Sequence, residues 1–381
     1  MDARPHHIDP IRHPEETRKH IIVLDDYVLG LPSTREQIDE IFDYHLPKFI
    51  EEHRGEYADG TVPVVFWAHG GLVSVASGWE AALEAIPWWR ANGVYPIYFV
   101  WDTGPAATLI DLLGHRVEDL RGEIERGKFD EHVDYGKDPT RFVRDRIWDI
   151  IAHEAQGGPI WLQMKIAAKN ANTLGKGGGT LASKALYSHS DKLNGNVSLH
   201  AVGHSAGAIF HAYFLKALDE QRGANPGAEQ LRVKSLQLLA PAISIPAFLE
   251  LMDPPDGADG IRYAMYSMDE KAETADHVLP EYQGSLLYLI RNALESKDGQ
   301  ELLGLQECFG KAMGPDNGTA NEYPLRAFFP DDSSRIWSST PTKPGALCGA
   351  LSHGAFPRDT ATMQSVAGRI LGRTPTPYPA R

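Results

Sequence analysis

The chain is 381 residues long, 42% hydrophobic, and carries a formal net charge of −14. That is enough apolar material for one large core, and the charge has the wrong sign for a partner held by its phosphates, so nucleic acid is not an expected partner. No segment reaches the roughly 20 uninterrupted apolar residues of a membrane helix, the opening residues lack the apolar centre of a secretory signal, and two cysteines without CxxC spacing give neither a disulfide scaffold nor a zinc cluster.

The expected protein is therefore a cytoplasmic globular one without metal or cofactor. Residues 1–19 are polar, rich in His and Pro and aperiodic, which predicts a flexible leader; His6, His7, His13 and His20 are too irregularly spaced for a metal site. "HIIVLDDYVLG" predicts a first strand. In "STREQIDEIFDYHLPKFIEEH", Ser33 and Glu36 have capping-box spacing and Ile38, Ile41, Phe42 and Leu46 recur at helical period. The runs "VPVVFWAHGG" and "GVYPIYFVWDTG" predict strands separated by the helix "GWEAALEAIPWWRAN", a β-α-β unit.

Between Trp101 and Asn196 the alternation stops. Three helix-like stretches and the glycine run "GKGGGT" predict a helical cap or lid over residues 106–195, with the glycines as its hinge, inserted into a core of residues 20–105 and 196–381. "VSLHAV", "VKSLQLLAP" and "IRYAMYS" supply further strands, with a helix at "SIPAFLELM". Strands alternating with helices in this way predict a mostly parallel sheet covered on both faces. "TATMQSVAGRILG" predicts a closing helix, and "RTPTPYPAR" a loose end.

The chemistry concentrates in Gly203-His204-Ser205-Ala206-Gly207. A strand-like run precedes it and a helix-like run follows, with Ile209, Phe210, Tyr213, Phe214 and Ala217 on one helical face. The flanking glycines let Ser205 take a tight strand-to-helix turn with its hydroxyl clear of the sheet, and the amide of Ala206 at the helix start can face a developing oxyanion. A serine nucleophile needs a base able to exchange protons near neutral pH, and an acid to orient that base. Asp269 and Glu270 follow the strand "IRYAMYS" and qualify by position, with Asp276 a more distant candidate.

Two other motifs fail. "LGKGGGT" has Asn170 where a phosphate loop needs its first glycine, and Gly177 where it needs Ser or Thr; His153-Glu154 has Gly157 where a zinc protease needs its second histidine.

With these motifs in this order, the chain resembles the α/β-hydrolase superfamily over almost its whole length. The resemblance implies an eight-stranded core and a Ser-His-acid triad. "FWAHGGLVS" resembles the oxyanion loop, which makes Gly71 the second oxyanion donor, Leu72 its alternate, and His69 a turn-stabilising side chain; Leu72 stands where a lipase-like HGGG pattern has a third glycine. His353 in "ALSHGAFPRD" matches the catalytic histidine. The stretch from Tyr266 to Glu295 is similar to a bacterial branch whose register favours Glu270 over Asp269 as the acid. His204 and Trp101, with Trp161 and Met164, are candidates to surround the substrate, although such residues also simply fill cores. The implied activity is hydrolysis of a small-molecule carboxylic ester, with lipase, amidase, acyltransferase or noncatalytic binding as alternatives for the same fold.

Overall fold

The computed structural model describes residues 14–71, 74–101, 157–257, 260–278, 284–296, 301–338 and 346–379. Its centre is an eight-stranded sheet in the order β2-β1-β4-β3-β5-β6-β7-β8. The strands are β1 (Ile21–Asp25), β2 (Val28–Leu29), β3 (Val62–Ala68), β4 (Tyr95–Trp101), β5 (Val197–His204), β6 (Val233–Leu239), β7 (Arg262–Ser267) and β8 (Arg335–Trp337). Every pairing is parallel except β1 with β2, which form a short antiparallel hairpin.

The parallel core explains the unbroken apolar runs. β3 and β4 are buried at every residue, as strands covered on both faces must be. The chain moves from β3 outward to β4 and then returns to place β5 on the other side of β3. Right-handed crossovers run in opposite directions put the helix Val75–Ala91 and the helix Gly207–Ala224 on opposite faces, and leave a crevice beyond the carboxyl ends of β3 and β5.

The helix Gly207–Ala224 is anchored by aromatic packing. Phe214 meets Phe66 of β3 and Phe99 of β4 at ring separations of 5.1 and 4.9 Å, and Phe210 lies 4.8 Å from Phe99. Each such ring contributes about 2–3 kcal/mol by burial, so the element that follows Ser205 is held rigidly to the two strands beside it.

Several expectations change. The flexible leader gives way at Pro14 to a helix, Pro14–His20, fastened by Glu16 to Arg90 at 3.0 Å and by His20 Nδ1 to the Pro96 carbonyl at 2.8 Å; residues 1–13 lie outside the described residues. The helical stretch after β2 is capped by Thr34, which accepts from the Gln37 amide, while Ser33 accepts from Val23 and ties the turn back to β1.

Most of the expected cap lies outside the described residues. Its described part, from Gly157 on, comprises the helices Gly157–Thr173, Gly178–Ser188 and Ser190–Leu193, the first two of which pack on the helix Gly207–Ala224. The glycine run is a contact rather than a hinge. A Cβ on Gly178 would fall 1.9 Å from Leu24 Cδ2, and one on Gly179 would fall 1.9 Å from Asn172 Oδ1. The end of the chain is docked as well: Trp88 Nε1 donates to the Thr376 carbonyl at 3.0 Å, and Tyr378 stands edge-on to Trp88. Neither cysteine forms a disulfide among the described residues, and both are buried. No helix among the described residues is long and apolar enough to cross a membrane.

Candidate active site

Ser205 sits where β5 ends and the helix Gly207–Ala224 begins, with φ at +53°. A non-glycine residue in this left-handed region stores about 1–3 kcal/mol of strain and persists only when its surroundings over-determine it. They do so here. The Ser205 amide donates to the Leu239 carbonyl at 2.8 Å, and its own carbonyl accepts from Ala208 and Ala242, both at 3.1 Å.

The glycines make the bend sterically possible. A Cβ on Gly203 would lie 2.8 Å from the carbonyl carbon of Gly207, and one on Gly207 would lie 2.1 Å from the Ala68 carbonyl oxygen at the end of β3. The second clash matters most, because it would push the helix away from the loop that follows β3.

That loop, His69-Gly70-Gly71, lies against the turn. A Cβ on Gly70 would be 3.0 Å from the Ser205 Cβ, and one on Gly71 would be 2.9 Å from the Ala206 Cβ and 2.0 Å from Met164 Sδ. Gly71 and Ala206 are thus neighbours, with Met164 of the helix Gly157–Thr173 closing over them. That helix is itself pinned by Glu295, which accepts from Trp161 Nε1 at 2.6 Å and pairs with Lys165 at 2.8 Å.

His69 orients the loop. Its Nε2 accepts from the Trp101 amide at 3.1 Å, so its Nδ1 carries the hydrogen and donates to the Gly70 carbonyl at 2.8 Å; the Trp101 indole returns a bond to the His69 carbonyl. Trp101 is fully buried and supports the loop from behind instead of lining the pocket. Leu72 lies outside the described residues.

A pocket of about 360 Å³ opens on this turn, lined by Gly70, His204, Ser205, Asp276, His277 and His353 among others. His353 and Ser205 therefore meet at one sheet edge although 148 positions separate them in the chain. Both ring nitrogens of His353 are buried and make no hydrogen bond among the described residues, the Ser205 hydroxyl included. Burial, reinforced by His204, holds the His353 pKa well below the ordinary histidine value, which keeps the ring neutral.

The main chain of His353 is gripped from both sides. Its amide donates to Asp276 Oδ2 at 2.9 Å, and its carbonyl accepts from His204 Nε2 at 2.9 Å. Burial brings the His204 pKa down to about 4, so this ring is a neutral donor, and its role is to hold the histidine loop.

The acids differ from expectation. Neither Glu270 nor Asp269 lines the pocket. Asp269 caps the helix Glu270–Ala275 by accepting from the Ala272 amide at 2.8 Å, and Glu270 is exposed, its amide donating to Gln306. The carboxylate that reaches His353 is Asp276, one residue past the end of that helix. Spacing alone does not rank four carboxylates within eight residues; the length of the helix does, because six residues carry the chain from the cap to the pocket.

Comparison with known proteins finds no matching family model, no matching curated protein and no matching solved structure. Among the described residues no group of His, Cys, Asp and Glu is arranged to hold a metal ion.

Proposed function

We propose that the chain is a serine hydrolase of the α/β-hydrolase type that cleaves carboxylic esters, with Ser205 as nucleophile, His353 as base and Asp276 as the acid. The observation that carries this reading is the strained turn at Ser205 opening into a pocket shared with His353 and Asp276. In this scheme His353 takes the Ser205 proton as the hydroxyl attacks the ester carbonyl, and the amides of Ala206 and Gly71 hold the tetrahedral oxyanion. The imidazolium then protonates the departing alcohol. Water, activated by the same ring, releases the acid and restores the serine. Asp276 fixes the histidine loop through its amide, and its negative charge stabilises the imidazolium while it lasts.

The substrate in this reading is a small-molecule ester, and the setting is the cytoplasm, consistent with two buried cysteines outside any disulfide. The helix Gly157–Thr173 forms the fixed rear wall over the oxyanion donors. Turnover of p-nitrophenyl esters of increasing chain length, with Ser205→Ala alongside, tests the proposal. The variant is expected to lose about 10⁶-fold in kcat, and a variant as active as the parent would end the assignment. Adding competing alcohols separates hydrolysis from acyl transfer.

A further inference from the structure

Glu273 is a fully buried carboxylate side chain in a short helix whose other charged residues, Glu270 and Lys271, face solvent. Its Oε2 accepts from the Ser285 hydroxyl, and its Oε1 is buried without a hydrogen-bond partner among the described residues. The same residue grips Ser285 a second time, because the Glu273 carbonyl accepts from the Ser285 amide at 2.9 Å. Ser285 is itself fully buried.

This double contact closes the turn that carries Asp276. The Gly284 amide donates to the Asp276 carbonyl at 3.0 Å, and His277 pairs with Gly284 as an isolated bridge. Asp276 is thus fastened through its main chain to the Gly284-Ser285 pair that Glu273 holds, and it spends a side-chain oxygen on the His353 amide. The chain of contacts runs from Glu273 through Ser285 and Gly284 to Asp276 and then to His353.

We propose that Glu273 is a positioning residue: its buried carboxyl grips Ser285, fixes the Asp276 turn, and so holds Asp276 against the histidine loop. The inference rests on the reading of Ser205, His353 and Asp276 as a triad.

A hydrocarbon side chain could fill the space but could not bind the Ser285 hydroxyl, and a charged one would be stranded. The groups that face Glu273 are Asp269 and Asp276 from its own segment and Tyr288 from the helix Leu286–Leu289, and no cation pairs with it among the described residues. Burial, with the two aspartates adding to it, pushes its pKa up to about 8. Below that value it is a neutral carboxylic acid suited to its surroundings. Above it, a further negative charge appears beside Asp269 and Asp276 in a dry site, and their repulsion strains the turn.

The test is the pH dependence of kcat and KM for the parent, Glu273→Gln and Glu273→Ala. The parent is expected to lose kcat through an alkaline limb centred near pH 8, with KM little changed. Glu273→Gln, which copies the neutral acid, keeps neutral-pH turnover and runs flat through that limb. Glu273→Ala loses up to about 100-fold in kcat at neutral pH, the scale of a misplaced catalytic group. Coincident alkaline limbs for the parent and Glu273→Gln overturn the proposal, as does parental kcat in Glu273→Ala. Should the alanine variant not fold, infrared spectra of the folded parent and Glu273→Gln at neutral pH decide. A protonated-carboxyl band present in the parent and absent from the glutamine variant supports the proposal, and its absence from both refutes it. Failure of the underlying triad is a separate result, since it shows as undiminished activity in Ser205→Ala.

Discussion

The turn after β5 and the segment Asp276–Val278 beyond β7 face the same pocket but are built by different means. The first is fixed by its main chain: Ser205 is held at positive φ by three backbone hydrogen bonds, and Gly203 and Gly207 are required because any Cβ there would strike backbone atoms. The second is fixed by side chains. Asp269 caps a helix, Glu273 grips Ser285, and Asp276 reaches His353, so three carboxylates with the same ordinary chemistry do three different jobs. A site can thus be rigid in one half because of what its backbone excludes, and in the other because of which acid lands in which environment.

The sharpest way to break this contrast is to exchange the acids' charges singly. Asp276→Asn is expected to lower kcat by about 10⁴-fold, the scale seen when a triad acid is neutralised, whereas Glu270→Gln stays within a few-fold of the parent. Steady-state kinetics on one ester series checks both. Equal losses in the two variants would return Glu270 to candidacy as the acid.

The backbone half predicts a folding defect instead. Gly207→Ala drives a methyl group to 2.1 Å from the Ala68 carbonyl oxygen, and chemical denaturation is expected to show a loss above about 4 kcal/mol, in the range reserved for severe steric conflict. A loss under about 1 kcal/mol would mean that the helix and β3 can part easily.

Acid stability measures how dry the histidines around both turns are. Burial lowers the pKa of His200 to about 3, of His204 to about 4 and of His211 to about 4, and that of His353 as well. Between these values and the ordinary value near 6.5 the unfolded chain binds more protons than the folded one, so stability falls as pH falls below about 6.5. Each of these rings contributes up to about 1.4 kcal/mol per pH unit. Thermal midpoints measured downward from neutral pH should drop, and His204→Gln should shallow the slope. The smallest effect belongs to Asp269→Ala, which removes a helix cap worth about 1 kcal/mol.

The same contrast explains what could be read from the amino-acid sequence. The Ser205 turn and the parallel strands are legible, since glycine spacing and unbroken apolar runs report directly on backbone geometry, whereas the places of Gly70-Gly71 and His353 come from the family resemblance. The choice of Asp276 as the proposed acid is not legible, because Asp269, Glu270, Glu273 and Asp276 differ in burial and direction rather than in chemistry. Glu273 was missed altogether, in a six-residue stretch that reads as a solvated face. The glycine run at 177–179 reads as a hinge because a close packing contact and a flexible joint leave the same trace in one dimension. β8 spans three residues, too few to show a period.

The central claim is that Ser205 is an activated nucleophile served by His353. It is tested most directly by treating the folded protein with a fluorophosphonate and mapping the labelled residue by peptide mass spectrometry, in the parent and in His353→Ala. The account predicts a label on Ser205 in the parent and little or none in the variant. A parent that stays unlabelled at Ser205, or a variant labelled at the same rate, would contradict it.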